Sequence, residues 1–242
     1  MTLLVESLKR LFSDVVLFST HASGIRLRSY QIGAARAIVD SVMRRRGLTI
    51  VVVMSRQAGK NECQAQIETF LMSLLARTSA EIVKASPTFK PQTENAMRRL
   101  ERTLERNVIV KRLGWRRESG YIYRVGRARA YFFSAQVDAN VVGATASTLL
   151  ECDEAQDVLP AKWDKDFAPM GASTNVTTVF WGTIWTSRTL LAREIHAAED
   201  AERLDGVRRL FRFDADVVGA EVPAYRAYVK KQVAKLGRNH PL

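Results

Sequence analysis

Two short stretches of this chain carry side chains able to act on a phosphate chain. The first is Val51-Val-Val-Met-Ser-Arg-Gln-Ala-Gly-Lys-Asn-Glu62, where an apolar run passes through a polar turn into Gly59-Lys60. A phosphate chain needs backbone N–H groups pointing inward and a lysine against its outer phosphates. Gly59 permits the close approach, Lys60 supplies the charge, and Arg56 adds a second cation. The pattern departs from G-x-x-x-x-G-K-[ST], because Met54 holds the first Gly position and Asn61 the hydroxyl position. The second stretch is Thr148-Leu-Leu-Glu-Cys-Asp-Glu-Ala-Gln156, where apolar residues run into paired acids. Asp153 is expected to hold Mg²⁺, either with weak help from the Asn61 carbonyl or with waters alone. Glu154 is expected to orient and deprotonate an attacking water. The expected catalytic set is Glu154, Lys60 and Arg56. The expected ATP-binding set is Ser55, Arg56, Gln57, Ala58, Gly59, Lys60, Asn61 and Glu62.

Three further groups of residues bear on that chemistry. Gly182-Thr-Ile-Trp-Thr186 closes an apolar run, and a small polar residue beside phosphate can pass its state to the next helix. Gly182, Thr183 and Thr186 are therefore coupling candidates, while Ser187 or Thr186 are expected to cap the helix that follows. Gln156 is placed either to sense the outer phosphate or to meet a neighbouring subunit. Tyr30 and Gln31 precede the first helix, where a ring and an amide suit an adenine base; a plain core tyrosine is the competing reading.

Strands and helices must position these groups. Thr49 to Met54, Ala80 to Ala85, Leu149-Leu150, Thr177 to Gly182 and Arg208 to Phe213 read as strands, most of them apolar throughout, as parallel strands covered on both faces are. Tyr121 to Arg124 and Ala130 to Phe133 read as strands joined near Gly126. Helices are expected over Ile32 to Met43, 62–77, Thr88 to Val108, Leu190 to Glu199 and Val222 to Leu236. Pro160 to Met170 is a loop or helix anchored by Trp163 and Phe167. Residues 1–25 carry a weak helical pattern (Leu3, Leu4, Leu8, Leu11, Phe12) before a turn at Ser23-Gly24. This alternation predicts an α/β fold with a mostly parallel sheet flanked by helices. Ligands of such sheets sit beyond the carboxyl ends of the strands, where both motifs fall.

Composition narrows the class. The 242 residues are 47% hydrophobic and 26% charged, and formal net charge is +12 with arginine in excess. That bias points to a polyanion, and nucleic acid is the expected partner. Arg44 to Arg46, Arg98 to Arg117 and Arg203 to Arg212 hold much of it. Cys63 and Cys152 lack disulfide or zinc spacing, which predicts a reducing compartment. His21, His196 and His240 lie far apart, so no transition-metal site is expected. No apolar run reaches the roughly 18 residues of a membrane span, and no signal-peptide pattern opens the chain.

In motif order the chain resembles the ATPase domain of the large subunit of tailed-bacteriophage terminases. Arg28-Ser-Tyr-Gln31 resembles that family's adenine segment, and Ser55 to Glu62 a deviant phosphate loop found in several members. Leu149 to Gln156 resembles its acidic motif, Gly182-Thr183 its coupling motif, and Tyr225 to Pro241 the end of its lid. The resemblance implies a P-loop NTPase of the ASCE type with a small C-terminal lid subdomain. It implies an N-terminal arm over 1–25, an ATPase core over 26–205, and a lid with the start of a linker over 206–242. The implied cofactors are ATP and Mg²⁺. The implied partners are double-stranded DNA, a portal protein, a small terminase subunit and a homo-oligomeric ring of five subunits, with no membrane. The implied place is the host cytoplasm, transiently at the procapsid portal. A nuclease domain normally follows in this family, and no acidic cluster here replaces it, so nuclease activity is not expected. Members supply an arginine to a neighbour's site, usually shortly before the acidic motif. Ala139 to Ala144 has none, which leaves Arg127, Arg129 and Arg102 as candidates. Other functions compatible with the same residues are a helicase-like nucleic-acid-stimulated ATPase, a non-catalytic basic DNA-binding or ring-scaffold module, and a generic basic α/β domain. Only one set of motor motifs is present, which speaks against the two-domain helicase plan.

Overall fold

The computed structural model describes residues 2–141 and 143–237, with side chains from residue 5 onward. The side chains of Leu3 and Leu4 and the tail containing His240-Pro241 lie outside the described residues. In chain order the elements begin with α1 (Thr2–Leu11), α2 (Val15–Ala22), α3 (Ser29–Met43), β1 (Thr49–Met54), α4 (Lys60–Leu74) and β2 (Glu81–Ser86). Next come α5 (Glu94–Arg106), α6 (Val108–Leu113), β3 (Trp115–Glu118), β4 (Ile122–Val125), β5 (Ala128–Ser134) and β6 (Leu149–Cys152). The short α7 (Pro160–Lys162) continues into two irregular turns. The chain closes with β7 (Thr177–Gly182), α8 (Leu190–Asp205), β8 (Leu210–Phe213), α9 (Ala215–Glu221) and α10 (Pro223–Leu236).

The strands form one sheet in the order β3-β4-β5-β2-β6-β7-β1-β8. From β5 to β8 every pair is parallel; the β3–β4–β5 edge is antiparallel. Strand β1 shows why its sequence is apolar from Ile50 to Met54. Ile50, Val52 and Met54 enter one core, and Val51 and Val53 enter the other on the opposite face. The first core lies under α2, α3, α4 and α5. The second lies under α8 and the 155–170 segment, where Trp163 and Phe167 stack at 5.6 Å as the expected anchors. Helix α4 is buried nearly all round, so it is the central support of the first face rather than a surface helix.

Several elements differ from the sequence reading. Thr88 to Val108 is not one helix: Phe89–Thr93 is a wide turn with extended backbone at Lys90. Pro91 disfavours helical backbone in the residue before it and lacks its own N–H. Asn107 then ends α5 and caps α6 through its side-chain oxygen. Strand β3 went unread because Trp115-Arg-Arg-Glu118 is an exposed edge without apolar alternation. The 1–25 segment places Val15, Phe18 and Ala22 in the core, and Phe18 meets Phe70 of α4 edge-on at 5.3 Å. Within the range 206–242, β8 pairs with β1 in the main sheet, and α9 and α10 pack together beyond it.

Candidate active site

The phosphate loop is built from the carboxyl end of β1. Ser55 donates from its N–H and its hydroxyl to the Phe213 carbonyl of β8, at 3.0 and 3.1 Å. The Ala58 N–H closes a turn onto the Ser55 carbonyl at 3.2 Å, and Gln57 has a φ of 61°. Gly59 enters α4 with a φ of 83°, and a Cβ there would lie 2.8 Å from Gln31 Nε2. Glycine is thus required both by backbone sign and by space. Tyr30 donates to the Ala58 carbonyl at 2.7 Å; Gln31 Nε2 donates to Ala58 at 3.2 Å and Gly59 at 3.1 Å. Both side chains therefore brace the loop from behind. Arg56 is exposed, with its guanidinium 5.6 Å from the ring of Trp185.

Lys60 opens the 15-residue α4, whose first N–H groups and positive dipole end favour an anion. Its ammonium lies 3.0 Å from Asp153 Oδ1 and 2.6 Å from Glu154 Oε1, at the carboxyl end of β6. Both contacts are ionic, with angles outside hydrogen-bond alignment. Burial acts to discharge Lys60, yet Asp153 and Glu154 outweigh it and hold the ammonium above the usual lysine range. Burial likewise opposes ionisation of Asp153, and Lys60 and Lys84 outweigh it, so its carboxyl sits below the usual range. Glu154 has a φ of 48°, a left-handed turn that swings the second acid away from the strand direction.

The other carboxylate oxygen of Glu154 is tied to the carboxyl end of β7 through Gln156. Gln156 Nε2 donates to Glu154 Oε2 at 2.7 Å, and Gln156 Oε1 accepts the Thr183 N–H at 3.1 Å. The Thr183 hydroxyl donates to the Met54 carbonyl at 2.9 Å, which ties β7 to the base of the phosphate loop. Gly182 lies beneath this bridge, buried, with Gln156 Oε1 only 2.5 Å from the place a Cβ would take. Thr186 is exposed and apart from the bridge. Neither Thr186 nor Ser187 caps α8; Thr189 does, its hydroxyl accepting the Ala192 N–H at 3.1 Å. The turn runs farther than expected before the backbone becomes helical.

Asn61 is half-buried beside Lys60, and Glu62 faces away to accept from Arg99 at 2.9 Å. Arg102 is exposed one turn further along α5. Arg127 donates to Ser79 at 2.9 Å and Arg129 to Glu118 at 3.2 Å, both at the start of β5 and so at the opposite rim of the sheet from Lys60. Among the described residues none of these three arginines makes a hydrogen bond or ion pair with Asp153 or Glu154. Among the described residues no group of three or more His, Cys, Asp or Glu is placed to hold a metal. A hard cation at Asp153 would therefore draw most of its shell from phosphate oxygens and water, the usual arrangement for Mg²⁺. An ionised buried carboxylate and a buried ammonium without an aligned acceptor fit a magnesium-bound polyphosphate.

Beneath the acids lies a polar cluster that the sequence reading passed over. Gln64, Glu68, Lys84 and Glu151 are each no more than 2% exposed. Lys84 donates to Glu68 at 2.7 Å and Gln64 at 3.1 Å; Trp181 donates to Glu151 at 2.9 Å. Burial pushes the Glu151 carboxyl well above the usual range despite the nearby Lys84. A charged residue in the middle of each of two apolar strands, Ile82-Val-Lys84 and Leu150-Glu-Cys152, was the available signal.

No protein-family model and no curated sequence matches the chain. Solved structures do. The large terminase of bacteriophage HK97 superposes with a TM-score of 0.71 at 16% identity, over 94% of this chain and 52% of that one. A variant of the large terminase ATPase domain of a Thermus phage gives 0.63 at 16% identity, over 90% of this chain and 92% of that one. The large terminase of a thermophilic bacteriophage in complex with ADP gives 0.64 at 12% identity, over 85% and 50%. The chain thus spans about half of the larger chains and nearly all of the ATPase domain. At these identities the likeness establishes the fold: a P-loop NTPase sheet with C-terminal helices beyond its edge.

Proposed function

We propose that this chain is the ATP-hydrolysing motor domain of a tailed-phage terminase large subunit, acting on double-stranded DNA during packaging into a procapsid. The observation that carries this reading is Lys60 Nζ lying 3.0 Å from Asp153 and 2.6 Å from Glu154 at the rim of one parallel sheet. A phosphate-loop lysine beside a metal-binding acid and a base is the minimum set for phosphoryl transfer to water. The shared fold with large terminases supports the assignment.

In this reading the phosphate loop from Ser55 to Glu62 wraps the phosphates, with Tyr30 and Gln31 keeping its backbone in place beside the base. Lys60 leaves the two acids for the outer phosphates. Its departure frees Glu154 Oε1 to accept a proton from the attacking water. Asp153, with Asn61 beside the loop, would hold Mg²⁺, which would supply charge neutralisation on the phosphates. Arg56 stabilises charge at the outer phosphate. Gln156 keeps the far side of Glu154 tied to Thr183, and Gly182 leaves room for that tie, so a change at Glu154 reaches β7. Arg127, Arg129 and Arg102 are the candidates for supply to a neighbour in a five-membered ring. The ring docks on a portal protein and receives DNA through a small subunit. The arginine-rich surfaces grip DNA phosphates, with strong salt dependence and little sequence preference.

The test is phosphate release by wild type and Glu154→Gln, with and without duplex DNA. Glu154→Gln is expected to lower turnover by about 10²-fold or more, the usual contribution of a general base, while nucleotide still binds. Turnover unchanged by Glu154→Gln removes the assignment.

A further inference from the structure

Asp153 is held by a residue that no sequence motif identifies. Gln64 lies one turn beyond Lys60 on α4 and is fully buried. Its Nε2 donates to Asp153 Oδ1 at 3.1 Å, and its Oε1 accepts from Lys84 Nζ at 3.1 Å. Lys84 is in turn held by Glu68 at 2.7 Å, and Glu68 is one turn beyond Gln64 on the same helix.

The direction of that amide is dictated by chemistry. An ammonium only donates, so the oxygen end of Gln64 must face Lys84. The NH₂ end is then forced toward the carboxylate. A flipped amide would set NH₂ against an ammonium and oxygen against a carboxylate, two repulsive contacts inside the protein. Asp153 responds in one way. Its Oδ1 receives Gln64 Nε2, the Glu154 N–H at 3.0 Å and the Lys60 ammonium at 3.0 Å. Among the described residues both hydrogen bonds to the Asp153 side chain fall on Oδ1, the oxygen that also meets the Lys60 ammonium.

We propose that Gln64, locked by the Lys84–Glu68 pair, is a positioning residue that ties down Asp153 Oδ1 and so presents Oδ2 to the divalent cation. This rests on the nucleotide reading above. The arrangement also explains why one helix carries both the phosphate lysine and the orienter of the acid. Lys60 and Gln64 are four residues apart on α4, so the lysine and the acid's orienter keep a fixed spacing.

The experiment uses the full chain, a fluorescent ADP analogue and Mg²⁺. Analogue binding is measured in EDTA and during Mg²⁺ titration, for wild type and Gln64→Met, which keeps side-chain length and removes both hydrogen bonds. Groups behind a metal ligand typically set about 10–100-fold of metal affinity. The Mg²⁺ concentration at half-saturation is expected to rise about tenfold or more, while binding in EDTA stays at the wild-type level. A purely structural role would weaken both together. If Gln64→Met does not fold, the paired variant Lys84→Met/Glu68→Met removes the lock as a unit, and a buried ion pair replaced by apolar groups is often tolerated. It is expected to raise the Mg²⁺ requirement in the same way. A folded variant whose Mg²⁺ requirement stays within about twofold of wild type overturns the proposal alone. Wild type that binds the analogue in neither condition overturns the nucleotide reading and this proposal with it.

Discussion

Gly182 offers the sharpest perturbation of the link between Glu154, the proposed general base, and β7. Its φ lies outside the left-handed region, so alanine suits the backbone, and collision is the only disturbance. An alanine methyl would lie 2.5 Å from Gln156 Oε1 and 2.6 Å from Leu191 Cδ2. Neither distance is tolerable, so Gln156 or Leu191 must move. Leu191 is 1% exposed and held in the second core, whereas Gln156 is partly exposed and free to swing outward. Overpacking of this kind costs about 1–3 kcal/mol. Swinging Gln156 away breaks its bonds to Thr183 and Glu154. Stability changes little from that step because water replaces both partners. Turnover changes more, because Glu154 loses the donor that sets its direction. If the misdirected base gives up about 1.4–2.8 kcal/mol of transition-state stabilisation, turnover falls about 10–100-fold. The assay is steady-state phosphate release at saturating ATP with duplex DNA, alongside thermal melting, for Gly182→Ala, Gln156→Ala and the pair. The methyl acts through Gln156, so the pair is expected to turn over no more slowly than the slower single variant, a strongly non-additive cycle. Losses that multiply, or wild-type turnover in Gly182→Ala, refute the bridge.

Two further outcomes follow from charge and burial. Glu118 on the edge strand accepts from Arg116 at 2.7 Å, with Arg124 and Arg129 also in contact, and these hold its carboxyl down at about 2. A depressed folded pKa stabilises above the unfolded value of 4.5 and is lost as pH falls from there through about 2. Since the clamp faces water, Glu118→Gln should cost under about 1 kcal/mol at neutral pH and nothing below pH 2, as read from denaturant unfolding at both pH values. Cys63 and Cys152 are fully buried, and burial pushes the Cys63 thiol up to about 12 and Cys152 well above its usual range. A thiol reagent at pH 8 should label neither before global unfolding; prompt labelling of the native protein would show that the core around β6 and α4 opens locally.

The parts of this molecule that were legible in its sequence are those whose signal is local. Residues 50–54 and 179–182 are buried on both faces, so an apolar run marked most of each strand. Lys60, Asp153 and Glu154 each close or follow such a run, and parallel strands put those ends on one rim. What was not legible depends on partners distant in the chain. Thr189 rather than Thr186 caps α8 because the turn after β7 runs on, a matter of tertiary path that no local spacing encodes. Strand β8 joins β1 although about 155 residues separate them, so residues 210–213 were grouped by position with the C-terminal helices. The buried polar cluster is the deepest case. Lys84 on β2 and Glu151 on β6 each interrupt an apolar run, while Gln64 and Glu68 are two of several polar residues spread along α4. Period-two alternation turns Lys84 and Glu151 to the face covered by α4, and only there does each find a partner. An unpaired charge in that setting would cost several kcal/mol. The cluster therefore forms as a unit whose members are scattered in sequence, and Gln64 is its hydrogen-bonded link to Asp153.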